Sequence, residues 1–289
     1  MRVAVFGATG IVGSALLPRL TPEHELVGIS RTARPAEPHV RWVTGDATSA
    51  EDVMRAVEGA EIVYHLVHSL GARHFERQDR VAAQNVADAS ERAGVEQIIY
   101  LGGLGDDSPT ASSHLRSRRE TGERLASGST PVTALRAAMI VGKGSAAFET
   151  IVALVDRLPA MITPNWVSTP TQPIALDDVT RYLAAVCGSQ RTFGESFDVG
   201  GPEVLTYRQM IERIAVLRGR RPWIVEVPVL TPRLSSLWLH LVTPVGASVA
   251  RPLIEGLKNP TIAREERLRR LFPFDLTTFD EAARSAFAS

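Results

Sequence analysis

The chain has 289 residues, enough for one large α/β domain and a smaller second unit, and its composition restricts the partners that we expect. Its 32 lysine and arginine residues balance 32 aspartate and glutamate residues, so no net field attracts it to nucleic acid or to an anionic membrane. The single cysteine, Cys187, excludes an internal disulfide, and its apolar helical context is typical of an unreactive buried thiol. The opening residues predict a strand instead of a signal peptide, and no apolar stretch reaches the length of a membrane span. We therefore expect a cytoplasmic protein without stable membrane association.

The most informative motif is Gly7-Ala8-Thr9-Gly10-Ile11-Val12-Gly13, which directly follows the apolar run Val3 to Phe6. A strand that ends in a glycine-rich turn and opens into a helix directs unpaired backbone N–H groups at one spot, where the helix dipole attracts a pyrophosphate. Gly7 permits the sharp turn, Gly10 lets the phosphates approach the backbone, and Gly13 lets the helix lie close to the strand. The motif predicts a dinucleotide site.

Apolar runs of strand length then alternate with helical patterns, in the order typical of a parallel, doubly wound sheet. The predicted strands are Val3 to Phe6, Leu26 to Ser30, Arg41 to Val43, Ile62 to Val67, Gln97 to Leu101 and Val132 to Leu135. The predicted helices begin at Ile11 and Ser49, and run from Arg73 to about Arg92 and from about Ser113 to Ala126. The carboxyl ends of the strands then share one rim, where ligands bind to such sheets.

The pattern changes after about residue 143, where proline-rich loops interrupt it. Helices are predicted to start at Thr206, Leu234 and Thr277. We expect a dinucleotide-binding domain at 1–143, with returning segments at about 172–200, and a substrate cap at about 144–171 and 202–289. The cap would complete a pocket for a small-molecule substrate. The apolar run Leu234 to Val245 favours packing inside the cap, with a dimer face or a membrane contact as alternatives.

Seven segments, most of them at the ends of predicted strands, carry a resemblance to a known family. They are Gly7 to Gly13, Gly45 to Ala47, Tyr64 to His68, Tyr100 to Gly103, Leu135 to Ala137, Gln172 to Val179 and Phe197 to Pro202. The chain resembles short-chain dehydrogenases/reductases of the extended or atypical type, in the NAD(P)H-binding, NmrA-like subgroup. The resemblance implies a Rossmann-type, doubly wound parallel sheet with a smaller C-terminal α/β cap, and a nicotinamide dinucleotide as cofactor.

The residues after the second strand bear on which nicotinamide dinucleotide binds. A site that prefers NAD usually has an acidic residue there to accept hydrogen bonds from the ribose, and this chain has Ser30-Arg31-Thr32-Ala33-Arg34 instead. Arg31, helped by Ser30 and Arg34, favours NADP(H), with NAD(H) as an option; a solvated loop is the alternative for both arginines. The resemblance implies that Asp46 accepts the adenine amino group, unless it only forms a turn. The predicted cofactor site also includes Ala8, Thr9, Ile11, Val12, Ala47, Leu66, Val67 and Gly102.

The catalytic residues of the resembled family are missing from their usual places. Typical members have a serine after the fifth strand and a tyrosine four residues before a lysine, whereas this chain has Gly102-Gly103 and, in the next helix, His114 followed by Arg118. His114 would exchange a proton, more readily as a base than as an acid, and Arg118 would hold the nicotinamide ribose or an anionic substrate. Alternatively, Ser117 to Glu120 is a capping box that starts the helix and leaves His114 in a loop.

Two further histidines flank the end of the fourth predicted strand. Strand alternation sends His65 and His68 to opposite faces of the sheet, and His68 is the third catalytic candidate. These two and His114 lack the short-spaced ligand pair of a zinc site, so we expect no metal.

The sequence leaves more than one class of function open. The first is an NADP(H)-binding oxidoreductase that reduces a small carbonyl compound or enone without the usual Ser/Tyr/Lys set. The alternatives are a dinucleotide-binding sensor or regulator without turnover, and a histidine-dependent isomerase or lyase on the same fold. A homodimer formed through the long helices that flank the sheet is also open.

Overall fold

A parallel sheet organises the chain, of which the structure, a computed structural model, describes residues 1–69, 74–105, 111–227 and 259–288. The strands are β1 (Arg2–Phe6), β2 (Glu25–Ser30), β3 (Val40–Thr44), β4 (Ile62–His65), β5 (Gln97–Gly103), β6 (Val132–Ala137), β7 (Ile140–Val141), β8 (Ala160–Pro164), β9 (Pro170–Thr171), β10 (Ile174–Ala175), β11 (Ser196–Val199), β12 (Leu205–Thr206) and β13 (Trp223–Val227). The helices are α1 (Ile11–Leu20), α2 (Ala50–Val57), α3 (Phe75–Ala93), α4 (Ser113–Leu125), α5 (Ala146–Arg157), α6 (Leu176–Ala185), α7 (Tyr207–Leu217), α8 (Arg267–Leu271) and α9 (Phe279–Ala288).

Seven of the strands form the main sheet, in the order β3-β2-β1-β4-β5-β6-β11. Every neighbouring pair is parallel. The order reverses between β1 and β4, and the carboxyl ends of those two strands border the crevice where such sheets bind ligands. This is the Rossmann-type, doubly wound architecture expected from the sequence, and the fold class is confirmed.

The two faces of the sheet are covered by different helices. The face that carries Val3 and Tyr64 packs against α1 and α6, and the Tyr64 hydroxyl donates to the Leu183 carbonyl at 2.8 Å. The opposite face, which carries Phe6, packs against α2 and α3, with Leu125 of α4 in the same cluster. Both faces are therefore buried, as parallel sheets require.

The predicted helices and strands of the first half are confirmed, with one correction, except that the helix start predicted at Arg73 lies outside the described residues. The strand predicted to reach Val67 ends at His65, because its neighbour β1 turns away at Gly7, after the Leu66 amide has donated to the Phe6 carbonyl at 2.9 Å. The helix predicted at Thr206 begins at Tyr207, capped by Thr206. The helix predicted at Thr277 begins at Phe279. The start predicted at Leu234, and the apolar run from it to Val245, lie outside the described residues.

A third apolar cluster lies apart from the two faces of the sheet. It joins α5, α7 and α9, and includes Phe148, Ile211 and Phe279. The division into a dinucleotide-binding domain and a cap stays a prediction; Leu268 of α8 packs in the cluster beneath the main sheet. No helix among the residues placed by the structure has both the length and the apolar character to cross a bilayer.

The outer strand β11 is covered along its free edge by the segment around α8. The Asp198 amide donates to Glu265 at 3.0 Å, and the Ser196 carbonyl accepts from Arg267 at 2.6 Å. The Asp198 carboxylate accepts from the Arg264 amide at 2.9 Å and pairs with Arg136 at 2.6 Å. Side chains and backbone of this segment thus occupy the hydrogen-bonding groups that an edge strand leaves open.

Candidate functional site

The glycine-rich turn after β1 has the geometry that its sequence predicts. Gly7 has a φ of +85°, and a Cβ atom there would lie 2.8 Å from the carbonyl carbon of Leu66, at the end of β4. A Cβ atom on Gly13 would lie 2.8 Å from the Cα atom of Ala8, so α1 packs closer to the turn than a side chain permits. On Gly10, a Cβ atom would meet only the Gly7 carbonyl oxygen, at 3.2 Å. Gly7 and Gly13 therefore shape the turn, whereas Gly10 keeps its outer surface bare.

The N-terminus of α1 is open to a ligand. No side chain caps it and its first turn has no acidic residue. Thr9, Gly10 and Ile11 are exposed, while Ala8 is buried beneath them and Val12 is half-buried. The first N–H groups of a helix have no acceptor within the helix and carry partial positive charge. This bare cradle fits the pyrophosphate of a dinucleotide.

Two arginines follow β2 at the same edge of the sheet. Ser30 is buried, and its hydroxyl accepts from the Thr32 amide at 3.3 Å. The exposed Arg34 lies 3.7 Å from Glu37 and 5.3 Å from the centroid of the Trp42 ring. Arg31 is exposed as well, and no other described residue forms an ion pair with it. Of the two guanidinium groups, only that of Arg31 has no partner among the described residues.

Asp46, after β3, forms the turn that the sequence left as an alternative. Its Oδ1 atom accepts from the Thr48 amide at 2.8 Å and from the Thr48 hydroxyl at 2.7 Å. The Asp46 amide donates to Asp52 at 2.9 Å, and the next carbonyl, of Ala47, accepts from Asn85 at 3.0 Å. The turn thus uses one carboxylate oxygen and leaves Oδ2 without a donor among the described residues.

The carboxyl ends of β4 and β5 carry the remaining candidates. Leu66 packs toward the α1 face of the sheet and Val67 toward the α3 face. A Cβ atom on Gly102 would lie 3.1 Å from the Tyr100 ring, and one on Gly103 would lie 3.1 Å from the Leu115 side chain. The end of β5 is therefore held tightly against α4.

His65 is a buried neutral histidine. It is 1% exposed, its ring centroid lies 6.1 Å from that of Tyr100, and neither ring nitrogen has a hydrogen-bond partner in the described part of the chain. Burial, and then the charge of Arg118, lower the pKa of His65 to about 3. The imidazole is therefore uncharged at neutral pH.

Helix α4 places His114 and Arg118 on consecutive turns. The helix begins at Ser113 because the Ser112 hydroxyl caps it, accepting from the Leu115 amide at 3.3 Å. The alternative start at Ser117, which left His114 in a loop, is therefore wrong. Burial, followed by the charges of His68 and Arg118, lowers the pKa of His114 to about 3.

Arg118 is a buried cation. It is 8% exposed, and its guanidinium carbon lies 5.1 Å from the centroid of the Tyr100 ring. The Tyr100 hydroxyl fixes the helix at this point by donating to the Arg118 carbonyl at 2.7 Å. No described carboxylate or carbonyl accepts a hydrogen bond from the guanidinium group.

His68 contacts a carboxylate that the sequence analysis missed. Its Nδ1 atom lies 3.3 Å from Oδ2 of Asp79, on α3, and its ring centroid lies 4.8 Å from that of His114. Asp79 is 2% exposed and also accepts from the Ser69 amide at 3.0 Å and the Ser117 hydroxyl at 3.3 Å. Strand alternation predicted His68 on the face opposite to His65. That prediction is wrong, because β4 ends at His65 and His68 lies against α3.

The charges in this cluster influence one another. Burial raises the pKa of Asp79. Hydrogen bonds from His68 and Ser69, together with the charges of His68 and Arg118, lower this pKa by a larger amount, so the net shift is downward. For His68, burial and Arg118 lower the pKa while Asp79 raises it, with a net lowering. Among the residues placed by the structure, no three His, Cys, Asp or Glu side chains could share a metal ion.

The sheet order and the glycine cradle define the class, a doubly wound α/β protein whose first turn suits the pyrophosphate of a dinucleotide. Residues 7–140 match the family described as NAD(P)H-binding. The resemblance to NAD(P)H-binding short-chain dehydrogenases/reductases is thus confirmed, while the NmrA-like subgroup stays a prediction.

Relatives and solved structures extend this similarity beyond residue 140. An uncharacterized protein of Mycobacterium tuberculosis is 28% identical over 232 residues, 80% of this chain, and the match spans 25% of that relative. A Staphylococcus aureus nucleoside-diphosphate-sugar epimerase has a TM-score of 0.81 at 16% identity, covering 98% of this chain and 100% of that one. The triphenylmethane reductase of Citrobacter sp., solved with NADP(H), has a TM-score of 0.77 at 19% identity, covering 99% and 100%. These structures share the fold of this chain.

Proposed function

We propose that this chain is an NADP(H)-dependent reductase of a small carbonyl compound or enone. The observation that carries the proposal is the position of His114 and Arg118 on consecutive turns of α4, beside the end of β5. In the resembled family a tyrosine and a lysine stand at this spacing. Because the strands are parallel, this end of β5 lies on the same rim as the glycine-rich turn.

The residues at the rim fit the cofactor. The bare turn from Gly7 to Gly13 would hold the pyrophosphate, and Arg31, with Ser30 and Arg34, would hold the 2′-phosphate of NADP(H). Asp46 and Ala47 would border the adenine, while Leu66, Val67 and Gly102 would border the nicotinamide. When bound, the reduced nicotinamide supplies the two electrons and the hydrogen that a carbonyl or enone carbon gains.

Arg118 supports this proposal because the N–H groups of its guanidinium group have no acceptor among the described residues. The Arg118 side chain is nearly buried, so only water or a ligand can accept from the guanidinium group. Ribose hydroxyls or a substrate oxygen that gains negative charge would satisfy it. Since arginine stays protonated in proteins, Arg118 would bind and stabilise without exchanging a proton. Proton exchange falls to His114 and His68.

A dinucleotide-binding sensor without turnover is the second candidate. The observation that favours it is that neither ring nitrogen of His65, nor Nδ1 of His114, has a partner among the described residues; burial lowers the pKa of each imidazole to about 3, so neither is protonated at neutral pH. A histidine-dependent isomerase draws its support from the epimerase that shares this fold.

The decrease in absorbance of the reduced nicotinamide, which measures the consumption of NADPH, distinguishes these functions. Incubated with NADPH and a panel of aldehydes, quinones and enones, the protein should consume NADPH with at least one class. Arg118→Leu should lower kcat/KM about a hundredfold, whereas Arg124→Leu, an exposed arginine on the same helix, should leave it unchanged. NADPH binding detected by calorimetry without consumption by any panel member would contradict the reductase and favour the sensor.

A further inference from the structure

A buried carboxylate without an assigned role lies behind the candidate histidines. We propose that Asp79 is a positioning residue that holds His68 with its Nδ1–H toward the carboxylate and its Nε2 toward the rim, which makes His68 the proton-exchanging group of the site. The role of His68 toward a substrate rests on the proposed function. The contact between the two residues does not.

The hydrogen bonds around Asp79 fix the direction of the imidazole. An ionised carboxylate only accepts, so the His68 nitrogen 3.3 Å from it must carry the hydrogen. The Ser69 amide and the Ser117 hydroxyl donate to the same carboxylate, at 3.0 and 3.3 Å. Asp79 thus ties together the segment after β4, helix α3 and helix α4. A side chain held by three elements has little freedom to rotate, so Asp79 also restricts the orientation of the His68 ring.

His68 differs from the other two histidines in having this partner. Neither ring nitrogen of His65, nor Nδ1 of His114, has an acceptor or donor among the described residues. Among the described residues, the charged or titratable groups that face His68 are Asp79 from α3, and His114 and Arg118 from α4. Of these, only Asp79 favours an imidazolium, as a carboxylate does in other histidine dyads. The side chain of His68 is 26% exposed, so its proton can return from water.

The proton balance of a carbonyl reduction defines what His68 does. Bound NADPH would supply the hydride that the carbonyl carbon gains, and the π electrons of the C=O bond would then move to the oxygen. The protonated His68 gives the hydrogen on Nε2 to that oxygen, and a new O–H bond forms. Neutral His68, NADP⁺ and the alcohol remain, and Asp79 stays ionised throughout.

Nitrogen-15 NMR of histidine-labelled protein, without cofactor or substrate, tests the contact directly. The chain has seven histidines, and His68→Asn identifies the resonance of His68 by removing it. We expect the Nδ1–H tautomer in the unmodified protein. Asp79→Asn should lower the titration midpoint of His68 by about 1 to 3 pH units, because the charge that favours the imidazolium is lost. Asp88→Asn, an exposed change on the same helix, should leave the midpoint in place.

Activity then separates positioning from a merely structural role. His68→Asn can still donate a hydrogen bond to Asp79 but has no titratable nitrogen, so kcat should fall at least about a hundredfold and the pH profile should lose one limb. Unchanged kcat in His68→Asn would overturn the proposal. So would an Nε2–H tautomer in the unmodified protein, a result that needs no variant to fold. If the expected NMR shifts appear but no panel compound consumes NADPH, the contact is supported and the reductase function is what fails.

Discussion

The carbonyl oxygen of Gly7 occupies the space into which a side chain on Gly13 would extend. The backbone of Ala8 closes the same space, so neither neighbour can move aside without displacing α1. Gly13→Ala should therefore reduce the free energy of unfolding by about 1 to 3 kcal/mol, measured by urea denaturation. Gly128→Ala is the matched control, since the nearest atom to a Cβ there lies 3.4 Å away. An equal loss in both variants would contradict the close packing of α1.

Gly10→Ala should separate cofactor binding from stability. The added methyl group meets only the Gly7 carbonyl oxygen, at 3.2 Å, and the φ of −77° at Gly10 suits alanine. We expect the unfolding free energy to change by less than about 1 kcal/mol. NADPH affinity, measured by calorimetry, should fall about tenfold or more because the methyl group lies where the phosphates approach the backbone. Unchanged affinity would place the phosphates elsewhere.

Arg31→Glu should reverse the preference between the two dinucleotides. A charge-assisted contact to the 2′-phosphate is worth about 1.5 to 3 kcal/mol, so NADPH affinity should fall roughly tenfold to a hundredfold. NADH affinity should change little or improve, because a carboxylate accepts from the ribose hydroxyls. Arg41→Glu, an exposed arginine on the neighbouring strand, is the control for net charge. Tighter binding of NADH than NADPH to the unmodified protein would contradict the assigned preference.

Acid should destabilise the fold through His65 and His114. Their pKa is about 3 in the folded protein, against the ordinary value of 6.5 in an unfolded chain. Between these values the unfolded chain binds protons that the folded protein does not. The unfolding free energy therefore falls as the pH drops below 6.5, by up to about 1.4 kcal/mol per unit for each histidine.

Urea denaturation at several pH values checks this expectation. His114→Asn should reduce the slope of the unfolding free energy against pH, because the contribution of His114 to that slope is then lost. His39→Asn is a suitable control, because His39 is exposed and its φ of +67° is one that asparagine tolerates. A slope unaffected by His114→Asn would show that this imidazole is not buried in the folded protein.

The parts of the fold and site that follow from local spacing were predictable from the sequence. The turn from Gly7 to Gly13 is one of them, because the positive φ at Gly7 and the close approach of Gly13 to Gly7 and Ala8 both arise within seven residues of chain. The helix spacing of His114 and Arg118 is another, once Ser112 is recognised as the cap.

Contacts between distant segments were not predictable. Asp79 lies in the charged sequence Phe75 to Arg80, where an acidic residue is typical of a solvated helix face, and nothing local shows that it is buried against His68. The face taken by His68 also depended on where β4 ends. The neighbouring β1 decides that point, whereas the alternation of residues within β4 does not.

The cover over the outer strand Ser196–Val199 has a practical consequence for handling this protein. A truncated version that stops before residue 259 would expose the Asp198 amide and the Ser196 carbonyl, which Glu265 and Arg267 now occupy. An unpaired edge strand can form hydrogen bonds with a strand of another molecule, so such a fragment should aggregate through edge-to-edge strand pairing. Fragments made for crystallisation or labelling should keep residues 264–267 together with the strand that they shield.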